Sequence, residues 1–372
     1  MIKFTITPED VLFFGDAKPF NRGNDGKSIF PPLPNTFASS IFAKLYYHKD
    51  IKYDGSRQLI KNVYGPFLQK DGELYFQAPK DIFVYSKNKD SDSCESETKL
   101  SVLKPLFVEE NRILKRCKTD MENLSCFMWF CEKERDKDKD KLNKDKKSFE
   151  GFISLKGLHK WHEGRVNDIK PEDLLKANSV YKEEVRTGIK INDESGTTES
   201  EDGLFRVSFV RLCMGFEFAF WVDFELENLK EYFRDEKEIL KFFDEKPRVL
   251  KIGGESKTAL YRCEIDDFKL KFKDFKKESG EDKKLFKHVF LTPFIFDEVN
   301  KNILELIEGF KGGVTGKYII AGINSQSIAT KTVRAMPAGS VIYTDKRKAQ
   351  LLTFENQSRD FIGSNLMLSS AI

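Results

Sequence analysis

Residues 216–224 read FEFAFWVDF, with Phe216, Phe218, Phe220, Val222 and Phe224 at every second position and Glu217, Ala219, Trp221 and Asp223 between them. Bulky apolar side chains at period two mark a β-strand with a buried face, so the chain has to build a sheet around this segment. Phe205, Val207 and Phe209 alternate in the same way just upstream, and the two runs together predict a hairpin. At the amino end Ile2, Phe4 and Ile6 alternate with Lys3, Thr5 and Thr7, which predicts an early half-buried strand.

Helical spacing appears between these runs. After PPLP, Asn35 or Thr36 can cap a helix whose Phe37, Ile41 and Leu45 fall at i, i+4 and i+8, one apolar stripe. Residues 234–245 carry Ile239, Leu240 and Phe243 at helical spacing, and 303–310 read as a further helical stretch. Strands are expected over 74–76 and 82–85, around a Pro79-Lys80 turn, and over 249–252, 289–296, 318–321 and 341–343. Strands and helices mixed in this way point to the α+β class with antiparallel sheets. A length of 372 residues with 34 Phe and 40% hydrophobic side chains is enough for two compact units; we place them at 1–200 and 201–372.

Some stretches cannot pack. Residues 132–147, EKERDKDKDKLNKDKK, hold Leu142 as the only apolar side chain, so this segment reads as a solvated insertion. Residues 87–99 and the acidic 192–203 read as similar excursions. The interleaved aspartates of 132–147 cancel most of the field that a basic RNA-contacting arm would need.

Charge excludes one class of function. Lys plus Arg number 63 against 60 Asp plus Glu, a formal net charge of +3, too even for a protein that grips a polyanion over its whole surface. Any nucleic-acid site has to be a local patch. The apolar start is broken at Pro8, Glu9 and Asp10, and nowhere do eighteen uncharged apolar residues follow one another, so a soluble, cytoplasmic protein without signal peptide or membrane span is expected. Six cysteines without C-x-x-C do not form a disulfide framework.

Few residues suit catalysis. No G-x-x-x-x-G-K-[ST], G-x-S-x-G or H-E-x-x-H occurs, which removes the usual signatures of nucleotide hydrolysis, serine hydrolysis and zinc proteolysis. His159 and His162 form H-x-x-H without an accompanying third ligand, and Cys117, Cys126 and Cys131 are irregularly spaced among apolar neighbours; both sets read as structural rather than metal-binding. His48, just after the first helix, is the one group placed where a metal-independent ribonuclease could use a general acid or base; as a solvated helix-end histidine it also suits the negative end of the helix dipole.

What remains is a set of glycine turns carrying cations. IGGESKTALYR puts Gly253 and Gly254 after a strand, with Lys257 and Arg262 following; residues without Cβ let backbone N–H groups approach a phosphate, and cations add charge. FKGGVTGKYII repeats the theme with Gly312, Gly313, Gly316 and Lys317. VRAMPAGSVIY supplies Arg334 and Gly339, and EEVRTGIKIN supplies Arg186 and Lys190 around Gly188. Near the amino end a glycine-punctuated loop carries Lys18, Arg22 and Lys27 toward the first helix, whose amino terminus favours anions. Each turn alone also fits a plain structural bend, but together they favour a surface that tracks phosphates through dispersed contacts.

The opening strand with FFGDAKPF, then FPPLPNTFASSIF, VRTGIKIN followed by GLFRVSFVRL, IGGESKTALYR and VRAMPAGSVIY, in this order, resemble the third-subunit family of the Cmr-type (type III-B) CRISPR effector complex, within the RAMP superfamily. The resemblance runs from residue 1 to about 345, and the charged insertions have no counterpart in it. It implies two ferredoxin-like, RRM-related domains and a noncatalytic subunit of an antiviral ribonucleoprotein. Such a subunit lies near the 5′ handle of the CRISPR RNA and touches the large polymerase/cyclase-like subunit and the first copy of the repeated backbone subunit. No cofactor, metal or membrane is implied. The glycine-rich signature near the family's carboxyl end is reduced here to Gly363 in DFIGSNLMLSSAI, and the best match to its glycine loop is Gly253-Gly254. The expected RNA-binding residues are Lys18, Arg22, Lys27, Asn35, Arg186, Lys190, Gly253, Gly254, Lys257, Arg334 and Gly339. No RNP-style aromatic signature is present, so recognition through loops and backbone is expected rather than through a sheet face. The competing readings are a metal-independent RAMP endoribonuclease that processes precursor CRISPR RNA with His48, and a scaffold that contacts only protein.

Overall fold

The computed structural model describes residues 1–15, 26–49, 51, 58–87, 97–107, 126–130, 147–189, 191, 196–197, 204–275, 285–295, 305–306, 308–323, 331–345, 351–352 and 362–371. From the amino end come β1 (Ile2–Pro8), α1 (Pro34–Lys49), β2 (Ile60–Lys70), β3 (Glu73–Gln77), β4 (Ile82–Lys87), β5 (Glu97–Phe107) and β6 (Cys126–Phe130). There follow β7 (Lys147–Ser148), β8 (Gly151–Ser154), α2 (Leu155–His162), β9 (Leu174–Lys176), α3 (Ala177–Val180), β10 (Tyr181–Ile189), β11 (Leu204–Leu212) and β12 (Glu217–Phe224). Next are α4 (Leu226–Leu229), α5 (Glu236–Asp244), β13 (Val249–Lys251), β14 (Thr258–Ile265), β15 (Phe286–Phe290) and β16 (Phe294–Ile295). The last are β17 (Phe310–Val314), β18 (Ile319–Ile323), β19 (Lys331–Met336), β20 (Val341–Thr344), β21 (Leu351–Leu352) and β22 (Met367–Ala371). Most of the two charged insertions lies outside the described residues; the flanks of the first form the ends of β4 and β5, and Lys147 opens β7.

The class is mixed α and β, and neighbouring strands pair antiparallel. An eight-stranded sheet runs β13, β14, β1, β12, β2, β3, β8, β9. Four adjacent strands of it, with α1 and α5, follow the chain order β1-α1-β2-β12-α5-β14 and stand side by side as β14, β1, β12, β2, so the fourth lies beside the first and the third beside the second. Strands from beyond residue 200 therefore bond to strands from before it, and a boundary at residue 200 would cut this sheet. The remaining sheets are β17-β20-β15-β22-β21, β16-β19-β18, β6-β5-β4-β7 and the β10-β11 pair.

Two expectations need correcting. The Phe-rich strand does not form a hairpin with its predecessor: β11 pairs with β10 from Tyr181 opposite Leu212 to Ile189 opposite Leu204, while β12 inserts between β1 and β2. The apolar alternation of β12 is satisfied by the sheet centre, which buries Phe218, Phe220 and Val222 on one side and Ala219 and Trp221 on the other. The first helix begins at Pro34, so Asn35 and Thr36 belong to its first turn and do not cap it; proline suits this position because its missing N–H would have had no helical partner.

Both faces of the sheet are closed at β12 and β2, while Leu260 and Arg262 of β14 stay exposed. On one side Phe37, Ile41 and Leu45 of α1 and Ile239 and Phe243 of α5 pack with Phe4, Phe218, Phe220 and Val222. The rings of Phe37 and Phe220 sit 5.1 Å apart in edge contact, and Phe4 stacks on Phe220 at 5.3 Å. Each such fully buried ring contributes about 1.5–3 kcal/mol by leaving water. On the other side Tyr64, Phe67 and Trp221 meet Phe268 and Phe272 of a 3₁₀ turn, together with Val289, Val341 and Tyr343 of β15 and β20. A buried polar knot crosses this contact: the Trp161 indole N–H donates to Asp81 at 2.9 Å, and the Tyr343 hydroxyl donates to the other Asp81 oxygen at 2.8 Å. The buried Lys287 ammonium lies 4.0 Å from the Trp161 ring centre. Among the described residues no helix is long and apolar enough to cross a membrane.

Candidate nucleic-acid interface

An RRM-type site would use the open face of the central sheet, but here that face is covered and Trp221 is 0% exposed. The exposed candidates lie beside the sheet instead. Residues 11–15 run along β11, with the Leu12 and Val210 amides each donating to the other's carbonyl at 2.8 Å, and Val11, Val207 and Phe209 bury together under this strap. Gly26 donates to Arg206 O, and Ser208 donates to Gly26 O, both at 2.8 Å, which leaves Lys27 exposed at the rim of β11.

The turn after β13 closes on the same strap. The Gly254 N–H donates to the Phe13 carbonyl at 2.8 Å, and a Cβ on Gly253, at φ +73°, would stand 2.4 Å from that oxygen. The glycine pair thus exists for a close backbone crossing, and the Gly254 amide is already used inside the protein. The amides of Glu255 and Ser256 have no hydrogen-bond partner among the described residues; both residues are exposed in left-handed conformation, φ +56° and +51°, which costs a non-glycine residue about 1–2 kcal/mol.

This crossing brings Arg186 and Lys257 together. Their cationic groups lie 5.2 and 5.4 Å from the centre of the Phe209 ring. Lys257 donates to Asp10 at 3.2 Å, and the Asp10 carboxylate also lies 3.5 Å from Arg186 and 3.2 Å from Arg211. Glu184 bridges the same two arginines at 2.6 and 2.7 Å. The Asp10 carboxyl is held down at about 2, first by the Val11 amide and then by the Lys257 hydrogen bond; the Arg186 and Arg211 hydrogen bonds lower Glu184 as well. The cluster sets three cations against two carboxylates, an ion network that a phosphate could enter by exchange with a carboxylate.

Other candidates lie elsewhere. Arg334 is exposed on β19, its guanidinium 5.3 Å from the Tyr318 ring centre, and it has no carboxylate partner among the described residues. Gly339 is buried at φ +82°: its N–H donates to Phe290 O at 2.7 Å, its carbonyl accepts from the Lys80 amide at 2.8 Å, and a Cβ there would stand 2.5 Å from Ala78 O. This bend is sealed inside the protein and presents nothing to a strand. Asn35 is half-buried. Lys18, Arg22 and Lys190 lie outside the described residues, as does the His48 side chain. His162 is buried against the Ser369 carbonyl at 2.9 Å, and both His159 and His162 pack on the Phe275 ring; no group of three or more His, Cys, Asp or Glu among the described residues could hold a metal ion. Sequence reasoning missed Asp10, Glu184 and Arg211. Asp10 and Lys257 are 247 positions apart, and no local spacing could have paired them.

The fold is a mixed α and β scaffold of antiparallel sheets with a cation-bearing glycine turn at its edge. The model of the CRISPR-associated protein family Cas_Cmr3 matches residues 4–369. The chain belongs to this family, the third-subunit family of the type III-B effector complex. No curated protein matches it. Among solved structures, a chain of the Type III-B Cmr-beta complex bound to cognate target RNA and AMPPnP is similar at 15% identity and TM-score 0.49, over 92% of this chain and 86% of that one. A chain of the Csm3-Csm4 subcomplex of the type III-A interference complex is similar at 13% identity and TM-score 0.40, over 93% and 97%.

Proposed function

We propose that this chain is a noncatalytic RNA-binding subunit of a type III-B CRISPR ribonucleoprotein, which anchors the 5′ handle of the CRISPR RNA and docks the large polymerase/cyclase-like subunit and the first repeated backbone subunit in antiviral defence. The observation that carries the reading is the convergence of Arg186, Lys257 and the 253–257 turn on one exposed surface. Lys27 borders it, and the free amides of Glu255 and Ser256, rather than that of Gly254, are the backbone donors for a phosphate. Lys18, Arg22 and Lys190 are further RNA contacts in this reading, and Arg334 adds another. Affinity then comes from dispersed phosphate contacts, which a chain of net charge +3 can make.

The scaffold of this reading is a first ferredoxin-like unit made of β1, α1, β2, β12, α5 and β14, whose order matches the βαββαβ pattern, with residues 71–216 inserted between its second and third strands. A second unit of this kind takes the strands from β15 onward. The test is incubation of the purified chain with repeat-containing precursor RNA without metal. The RNA stays intact and is retained on the chain, and Lys257→Ala with Arg334→Ala weakens retention, most strongly at low salt. Cleavage abolished by His48→Ala would establish a ribonuclease instead, and absence of RNA retention in both the chain and the assembled particle would establish a protein-only scaffold.

A further inference from the structure

We infer that Tyr318 is a stacking platform for one unpaired base of the bound RNA, clamped by Arg334 and flanked by Lys317; the inference rests on the RNA-binding reading above and adds to it a nucleobase contact. The loop before β18 is fixed from beneath. Thr315 and Ser340 hydroxyls meet at 2.9 Å, and Gly316 folds so closely on Pro337 that a Cβ would stand 3.2 Å from the ring. Ile319 packs with Ile295, Val333 and Ala335 on the inner face of β16-β19-β18. Strand alternation then turns Tyr318 outward, on the face that carries Arg334, since Ile320 pairs with Arg334 and Ile319 with Ala335.

Three large aromatic side chains stand out among the exposed described residues: Tyr47, Phe310 and Tyr318, the last 58% exposed. Of these, Tyr318 has a cation over its ring, the Arg334 guanidinium at 5.3 Å. Arg334 and Lys317 have no carboxylate partner among the described residues, in contrast to Arg186, Arg211 and Lys257, which share Asp10 and Glu184. An aromatic face beside unneutralised cations is electrostatically complementary to a base with its phosphate. Stacking on tyrosine tolerates any base, because every base has a π-face. A fixed handle strand suits such a seat, since the platform places one nucleotide without demanding its identity.

The test places 2-aminopurine at each handle position in turn and reads its fluorescence in the reconstituted complex. One position is expected to be quenched, Tyr318→Ala to restore its emission and weaken RNA binding about five- to hundred-fold, and Tyr318→Phe to keep both near wild type. Handle RNA bound with unchanged affinity and unchanged quenching in Tyr318→Ala would overturn the platform while leaving the RNA-binding reading intact. If the wild-type complex binds no handle RNA through this chain, and Arg186→Ala and Lys257→Ala likewise change nothing, both readings fall together. Equal loss in Tyr318→Ala and Tyr318→Phe would assign the effect to the hydroxyl and also overturn stacking.

Discussion

Asp10→Asn should tighten the grip of this chain on RNA. Asp10 faces three cations, but Arg186 and Arg211 keep Glu184 at 2.6 and 2.7 Å when it is lost. Lys257 has no other carboxylate partner among the described residues, so the substitution frees one ammonium. A single ammonium contributes at most about 0.7 to the slope of log K against log salt for a single strand; Asp10 withholds part of it in wild type, so the substitution steepens the slope by less than that. Exposed ion pairs are worth about 0–1 kcal/mol, so the variant keeps its fold. Fluorescence anisotropy of a labelled handle RNA, titrated with the purified chain from about 50 to 200 mM salt, reads the slope directly. Lys257→Ala should flatten it, the two single variants differing by about 0.7, and the double variant should match Lys257→Ala. Equal slopes in wild type and both single variants would refute the exchange of a carboxylate for a phosphate at this cluster.

Gly339→Ala should destabilise the chain by at least about 2 kcal/mol, because it combines a left-handed backbone with a Cβ pressed on Ala78 O; urea unfolding measures this, and the folded protein should bind handle RNA as before. The pH dependence of stability holds two opposed contributions. Burial pushes Asp81 up from 3.8 to about 6, so its contribution is present at low pH and is lost as pH rises through that range. Burial pushes His162 down from 6.5 to about 4, so its contribution is lost as pH falls through that range. Each is of order 3 kcal/mol, and they offset one another between pH 4 and 6. Asp81→Asn removes one of them and should leave stability that rises with pH over 4–6.5. Parallel urea-unfolding profiles for wild type and variant would contradict this. Incubation with precursor RNA in the absence of metal should yield no product from either wild type or His48→Ala.

Local periodicity made most elements legible. The alternation of Ile2, Phe4 and Ile6 became β1, the stripe Phe37, Ile41 and Leu45 became the buried face of α1, and Ile239 with Phe243 did the same for α5. Pairing was not legible, because period two says that a strand has a buried face and not which strand covers it. For that reason β11 and β12, adjacent in sequence, went to different sheets. The same limit applies to the site. Glycine beside a cation looks alike whether the missing Cβ admits a phosphate or another stretch of this chain. Gly253 and Gly339 both make room for the chain's own carbonyls, yet the first stands at an exposed turn and the second is buried. Cations were visible in the sequence. Their neutralisation by Asp10 and Glu184 was not, since it depends on a strap from residue 10 meeting a turn at residue 257.

Protein–RNA crosslinking with mass spectrometry on the assembled, guide-loaded particle tests the RNA-holding role most directly. Crosslinked peptides should fall in the 253–258 turn, in β10 and β11, and around Tyr318, with the guide recovered at full length. Crosslinks confined to other surfaces of the chain, or a guide cut at this subunit, would contradict the account.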